Sequence, residues 1–74
     1  MSQARPVLTP RERQILELIA EGLTDPEIAT LLRIGRRTVN GHVADILDKL
    51  STRTRAAAVA RALATGAIHP HESN

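Results

Sequence analysis

Apolar residues recur at helical spacing in four stretches of this chain, and residues that start or stop helices bracket each stretch. In "LTPRERQILELIAEG", Ile15, Leu16, Leu18 and Ile19 form one stripe. Thr9 has the side chain of an N-cap, Pro10 suits the first helical position, and Glu12 completes the spacing of a capping box. Gly22 follows, able to take the left-handed conformation that ends helices, so the spacing predicts a helix over about 10–21. "TDPEIATLL" repeats this grammar in short form, predicting a helix over 25–32. Its cap is Thr24 or Asp25, Pro26 lies in its first turn, and Glu27 stands three residues after Thr24. Ile28, Ala29, Leu31 and Leu32 make its inner face. A helix of about two turns cannot stand alone in water, so it needs neighbours on both sides.

The stretch "GRRTVNGH" supports two conflicting predictions. Asn40-Gly41 between "TV" and "HV" is a strong hairpin signal. A hairpin needs alternation on both sides, and "HVADIL" gives only a weak version of it. A helix needs apolar residues at i, i+4, i+7, i+8 and i+11, and Val39, Val43, Ile46, Leu47 and Leu50 fill all of these. At about 100° per residue Gly41 lies about 200° from Val39, on the outer face, where it costs roughly 1 kcal/mol relative to Ala. The matched core positions outweigh that, predicting a helix over 36–50 that runs through Asn40-Gly41. After the connector "STRT", with Ser51 or Thr54 as cap, "RAAAVARALATG" predicts a last helix over 54–65 that ends at Gly66. Its inward residues are Ala58, Val59, Ala62 and Leu63. The expected fold is all-α, with four helices and a three-residue turn between the second and third, a helix-turn-helix arrangement. Residues 1–7 read as a tail or linker, 8–68 as the domain, and "AIHPHESN" as a tail that leaves the domain by 69–74.

Composition narrows the chemistry. At 74 residues the chain is one domain at most, and with no cysteine it has neither disulfides nor thiolate metal sites. The absence of Phe, Tyr and Trp argues against single-strand nucleic-acid binders, which stack bases on aromatic rings. No run approaches the roughly 18 apolar residues of a membrane span, and the N-terminus lacks a signal-peptide pattern, so a cytoplasmic protein is the expectation. The net charge of +2 is unevenly placed. Residues 1–32 carry three basic groups (Arg5, Arg11, Arg13) and five acidic ones (Glu12, Glu17, Glu21, Asp25, Glu27). Residues 33–55 carry six basic groups (Arg33, Arg36, Arg37, Lys49, Arg53, Arg55) against Asp45 and Asp48. Such a segment is either a polyanion-binding face or an Arg-rich solvated surface.

An enzyme is not expected: the acidic residues read as solvated helix faces, and no Ser/His/Asp arrangement is visible. His69 and His71 lie in the tail without further ligands, so no metal is expected. "GRRTVNG" lacks the Lys-Ser/Thr of a phosphate-binding loop, and no cofactor is expected.

The segments "LTPRERQILELIAEGLTDPEIA", "RTVNGHVADILDKL" and "TRAAAVARA" resemble the LuxR/FixJ-type DNA-binding domain of bacterial transcription regulators. The family shape is LT-x-RE-x-x-(I/V)-L, then G-L-(S/T)-x-x-x-IA, then TV-x-x-H, then KL, and all four blocks occur here in order and at the family's spacing. The resemblance spans about Leu8 to Ile68. Three positions depart from it. Arg33 stands where Gly is usual, which strains the chain by about 1–2 kcal/mol if Arg33 is left-handed. Gly35 stands at the usual Ser cap, and Asn40 where Lys is common. The departures imply a target sequence unlike the family's usual one and leave the fold expectation intact.

The resemblance implies sequence-specific binding of double-stranded DNA, with the third helix in the major groove. Carried over by position, Asn40, Gly41 and Ala44 face the bases, and the helical wheel independently turns them, with Arg37, away from the Val39 stripe. Asn suits adenine, the bare Gly41 allows close approach, and the Ala44 methyl suits a thymine methyl. Arg36, Arg37 and Thr38 would meet phosphate at the start of this helix, and Thr24 at the start of the second, where the Asp25 carboxylate would be repelled. Arg53 and Arg55 would add a flanking contact. His42, at the edge of the stripe, is either half-packed and hydrogen-bonded or reaches a phosphate. Asp45 and Asp48 face outward and oppose tight phosphate approach, so weak binding as a monomer is expected.

The last helix resembles the family's dimer-forming helix, which makes Val59, Ala62 and Leu63 candidate interface residues and a homodimer on DNA the implied assembly. Its alanines could equally cover the domain's own core. The resemblance also admits RNA polymerase as a partner. Family members usually carry an upstream sensor or receiver domain that 74 residues cannot hold, so an excised output domain or a stand-alone regulator is expected. The competing readings are a protein-interaction module that keeps the fold without binding DNA, and a sigma-factor-like promoter-reading domain.

Overall fold

The structure, a computed structural model, describes residues 7–69. It contains four helices: α1 (Pro10–Ala20), α2 (Asp25–Leu32), α3 (Arg36–Lys49) and α4 (Arg55–Thr65). The hairpin alternative at Asn40-Gly41 is not formed, and α3 runs through both residues.

Helix starts follow the side-chain chemistry. Thr9, Thr24 and Thr54 cap α1, α2 and α4, each hydroxyl oxygen accepting from the third amide of its helix. In α1 and α2, Glu12 and Glu27 reach back to accept from the cap amide, completing capping boxes. Of the two candidate caps for each of the second and last helices, Thr24 and Thr54 serve. Helix ends share one device. Gly22, Arg33, Ser51 and Gly66 have positive φ of 97°, 59°, 55° and 81°. At each, the next amide bonds back to the carbonyl five residues earlier: Leu23 to Leu18, Ile34 to Ala29, Thr52 to Leu47, and Ala67 to Ala62. This is the Schellman arrangement, which satisfies otherwise unpaired carbonyls and reverses the chain within two residues.

These reversals bring the apolar stripes together. α3 packs against α2, α1 and α4, and α1 against α4. The core comprises Ile15 and Leu16 of α1, Ile28 and Ala29 of α2, Val39, Val43 and Ile46 of α3, and Ala58 and Ala62 of α4, closed by Leu8 and Ile68. Leu47, Leu50 and Val59 pack half-buried around it.

Four expectations are corrected. Leu31, expected inward, is 58% exposed. It lies about 100° from the middle of the Ile28–Ala29–Leu32 arc, and an eight-residue helix touching mainly α3 buries only a narrow face. Leu63, also expected inward, is 38% exposed because α4 turns Ala58 and Ala62 to the core. Ile68, expected in a tail, is 1% exposed, since its amide bonds to the Ala62 carbonyl and the reversal at Gly66 returns it to the core. Glu12, expected on a solvated face, is buried, with one carboxylate oxygen accepting from the Thr9 amide at 2.9 Å and Lys49 Nζ at 2.7 Å. His71 lies outside the described residues.

Arg33 occupies its left-handed conformation without the freedom of glycine, at φ 59°, ψ 44°. Its side chain is exposed and makes no hydrogen bond or ion pair with a described residue. Arg33→Gly therefore relieves strain without loss of packing. It should raise stability by about 1 kcal/mol, or the melting temperature by roughly 4–8 °C, in thermal denaturation followed by circular dichroism.

Candidate nucleic-acid interface

α3 has one face in the core and one in solvent. Val39, Val43 and Ile46 anchor it, while Arg36, Arg37, Thr38, Asn40, Gly41 and Ala44 are all exposed on its first half. Arg37, Gly41, Ala44 and Asp48 follow at spacings of four, three and four, making one ridge along the outer face. Asn40 and Asp45 flank it, both exposed. A Cβ built on Gly41 would meet nothing within 4 Å, so the protein's own packing does not require glycine there.

The start of α3 is unlike the other three. Its cap, Gly35, has no side chain to bond an amide. The amides of Arg36, Arg37 and Thr38 have no carbonyl within the helix to bond, and the positive end of the helix dipole coincides with two exposed guanidinium groups. Neither Arg36 nor Arg37 pairs with a carboxylate among the described residues. This is a place where an anion would find amides and cations together.

The start of α2 offers less. The Thr24 amide donates to Glu27, the Glu27 amide to the Thr24 hydroxyl oxygen, and Pro26 has no amide hydrogen. The Asp25 amide and the exposed Thr24 hydroxyl remain.

The cations that sequence reasoning grouped together are separated by the fold. Arg53 is exposed and makes no ion pair with a described residue. Arg55 is held by both oxygens of Asp25, at 2.5 and 2.8 Å, a bidentate pair between the first residues of α4 and α2. The Arg55 hydrogen bond holds the Asp25 carboxyl below its ordinary value against the opposing effect of burial, and Asp25 in turn raises Arg55. Lys49 is engaged by Glu12 and the Val7 carbonyl. Burial alone would raise the Glu12 carboxyl, but Lys49 and the Thr9 amide together bring it below its ordinary value. Arg61 donates to the Leu50 carbonyl at the end of α3. Neither long-range pair carries a sequence signal: Glu12–Lys49 and Asp25–Arg55 join residues 37 and 30 apart, which only the fold brings together.

His42 is half-buried at the edge of the α3 core stripe. On α4, Ala62 is 0% exposed and has no surface to offer a partner, whereas Val59 is half-buried and Leu63 exposed.

The arrangement of four helices matches known proteins. Residues 6–62 match the family described as bacterial regulatory proteins, luxR family. The chain belongs to this family. It is 47% identical over 66 residues to the transcriptional activator protein SolR of Ralstonia solanacearum, covering 89% of this chain and 28% of SolR. It is 38% identical to the spore germination protein GerE of Bacillus subtilis over 89% of each chain. The structure of the response regulator ChrA, from a heme-sensing two-component system, superposes with a TM-score of 0.84 at 34% identity, over 92% of this chain and 34% of that one. The luxR-family domain thus occupies a small share of some relatives and nearly all of another.

The packing of this luxR-family domain leaves room for a side chain at Gly41. Gly41→Ala should stabilise the domain by about 1 kcal/mol in thermal melts, because it restores helix propensity in open space.

Proposed function

We propose that this chain binds double-stranded DNA sequence-specifically as the DNA-binding module of a bacterial transcription regulator, with α3 in the major groove. The observation that carries this reading is the start of α3, where Arg36, Arg37 and Thr38 are exposed beside three free amides, followed by the small, uncharged and exposed Asn40, Gly41 and Ala44. Arg36, Arg37, Thr38 and Arg53 position the duplex through its phosphates, assisted by the Thr24 hydroxyl and the Asp25 amide of α2. His42 is close enough in sequence to Thr38 to join this phosphate edge. Asn40 reads adenine through its amide, and Gly41 and Ala44 let the helix approach and contact thymine methyls. Two copies pair through Val59 and Leu63 of α4 when bound to neighbouring half-sites. The low count of free cations supports this last point, since one copy grips only a few phosphates.

Selection of bound duplexes from a random pool at low salt tests the reading, and enrichment of no sequence would overturn it. On the selected site, binding should weaken as salt rises. Arg37→Ala should weaken binding to all sequences alike and reduce the salt slope by about 0.9, the contribution of one phosphate. Asn40→Ala should instead flatten preference at a single base position, removing roughly 1–3 kcal/mol of discrimination. For the pairing, Leu63→Asp should leave binding to an isolated half-site unchanged and abolish the two-copy complex on paired half-sites in sedimentation. A monomer on two half-sites in the unaltered protein would remove α4 from the account.

A further inference from the structure

The bidentate pair between Asp25 and Arg55 has no role in reading bases, yet it lies where a helix-turn-helix meets the DNA backbone. In such motifs the first helix crosses the phosphates while the second enters the groove. Here the first of those helices is α2, and Asp25 is its opening residue. Arg55 opens α4, so the pair sits where two helix N-termini meet. Both ends carry the positive partial charge of their dipoles, and Arg55 is a full cation beside them. A phosphate passing this edge would be drawn to Arg55. Asp25 already fills its fork with two parallel bonds, and the side chains are 41% and 20% exposed, so the pair is reachable by DNA but internally neutral.

We propose that Asp25 is a restraining residue: it holds Arg55 off the DNA phosphates and so removes one cation per copy from sequence-independent binding. The proposal rests on the DNA-binding reading above. It reverses the role that sequence position gives Arg55. Arg55 neutralises Asp25, so the start of α2 can approach DNA without repulsion, and Asp25 neutralises Arg55, so this edge adds no attraction that ignores sequence. Arg36, Arg37 and Arg53 are left as the phosphate grip.

A double-mutant cycle tests this on a random-sequence duplex and on the selected site, across a salt titration. The proteins are the unaltered chain, Asp25→Asn, Arg55→Gln and the double variant. Asp25→Asn frees the cation and should tighten random-duplex binding on the order of five- to tenfold at about 0.1 M salt, steepening the salt slope by about 0.9 per bound copy. Arg55→Gln leaves a bare carboxylate and should weaken binding. The double variant removes both charges and should return to within about twofold of the unaltered protein.

A merely structural pair gives loss in all three variants with the slope unchanged, which overturns the proposal. So does a double variant as weak as Arg55→Gln, because Arg55 would then be a direct phosphate contact. Thermal melts accompany each variant, and Asp25→Ser, which keeps a polar group at the first helical position, replaces Asp25→Asn if that variant does not fold. Failure of the unaltered protein to bind either duplex would overturn the DNA-binding reading itself, and is seen before any variant is compared.

Discussion

One carboxylate oxygen, Oε1 of Glu12, joins the start of α1 to the end of α3. It accepts from the Thr9 amide and from Lys49 Nζ, and the same Nζ bonds the Val7 carbonyl, so the entering chain, the first helical turn and the last turn of α3 meet at one point. Burying a carboxylate is costly, and only good geometry with further hydrogen bonds offsets it. Glu12 meets that condition: its carboxyl lies below its ordinary value although burial pushes it upward. The opposite end of α3 is fixed by the left-handed Arg33, whose reversal seats Ile34 against the core. With both ends held, Val39, Val43 and Ile46 settle between α1, α2 and α4, and the direction of the outer face follows. A domain this small, with no aromatic residue or cysteine, has few other means of fixing a helix it leaves half exposed.

Local choices agree with the fold nearly everywhere. Three helices have threonine caps, α1 and α2 carry acidic residues in their first turns, and all four end in the same reversal. α3 breaks the pattern three times in its first half. Its cap has no side chain, its first turn holds two arginines that oppose the helix dipole, and its interior contains Gly41 in open space. Each departure costs stability, on the order of a few tenths to 1 kcal/mol. Nothing in the packing compensates for them, and all three fall on the face turned away from the core. Such local conflict is expected where a surface is shaped for something outside the chain.

The sequence makes the local grammar legible and leaves the long-range pairing hidden. The cap at Thr9, the reversals at Gly22 and Gly66, and the α3 stripe against its hairpin rival all follow from spacing, because the deciding physics acts within one or two turns. Periodicity says which arc of a helix is apolar, but not how much of that arc a neighbour covers. Leu31 is therefore exposed and Ile68 buried, contrary to their local context. The same limit governs the site. Arg36, Arg37, Asn40 and Ala44 can be placed on a free face from the wheel alone. Arg55 cannot, because its partner lies on a helix that only the tertiary fold brings near.

The sorting of cations has a consequence for assembly. Between residues 33 and 55 the chain carries six basic groups, but Lys49 and Arg55 are engaged within the fold, and Asp45 and Asp48 remain exposed on α3. The positive surface is thus narrower than composition implies and concentrated at the start of α3. On the proposed function, a single copy grips DNA weakly and two copies must share the work. On the same proposal the pairing residues offer little surface: Ala62 is sealed in the core, leaving an exposed leucine and a half-buried valine. Joined on adjacent half-sites as proposed, each contact would raise the effective concentration for the other, so the dimer would form on the duplex and its stability would depend on half-site spacing. On that proposal, specificity would come from geometry between two modules as much as from the bases facing Asn40 and its neighbours.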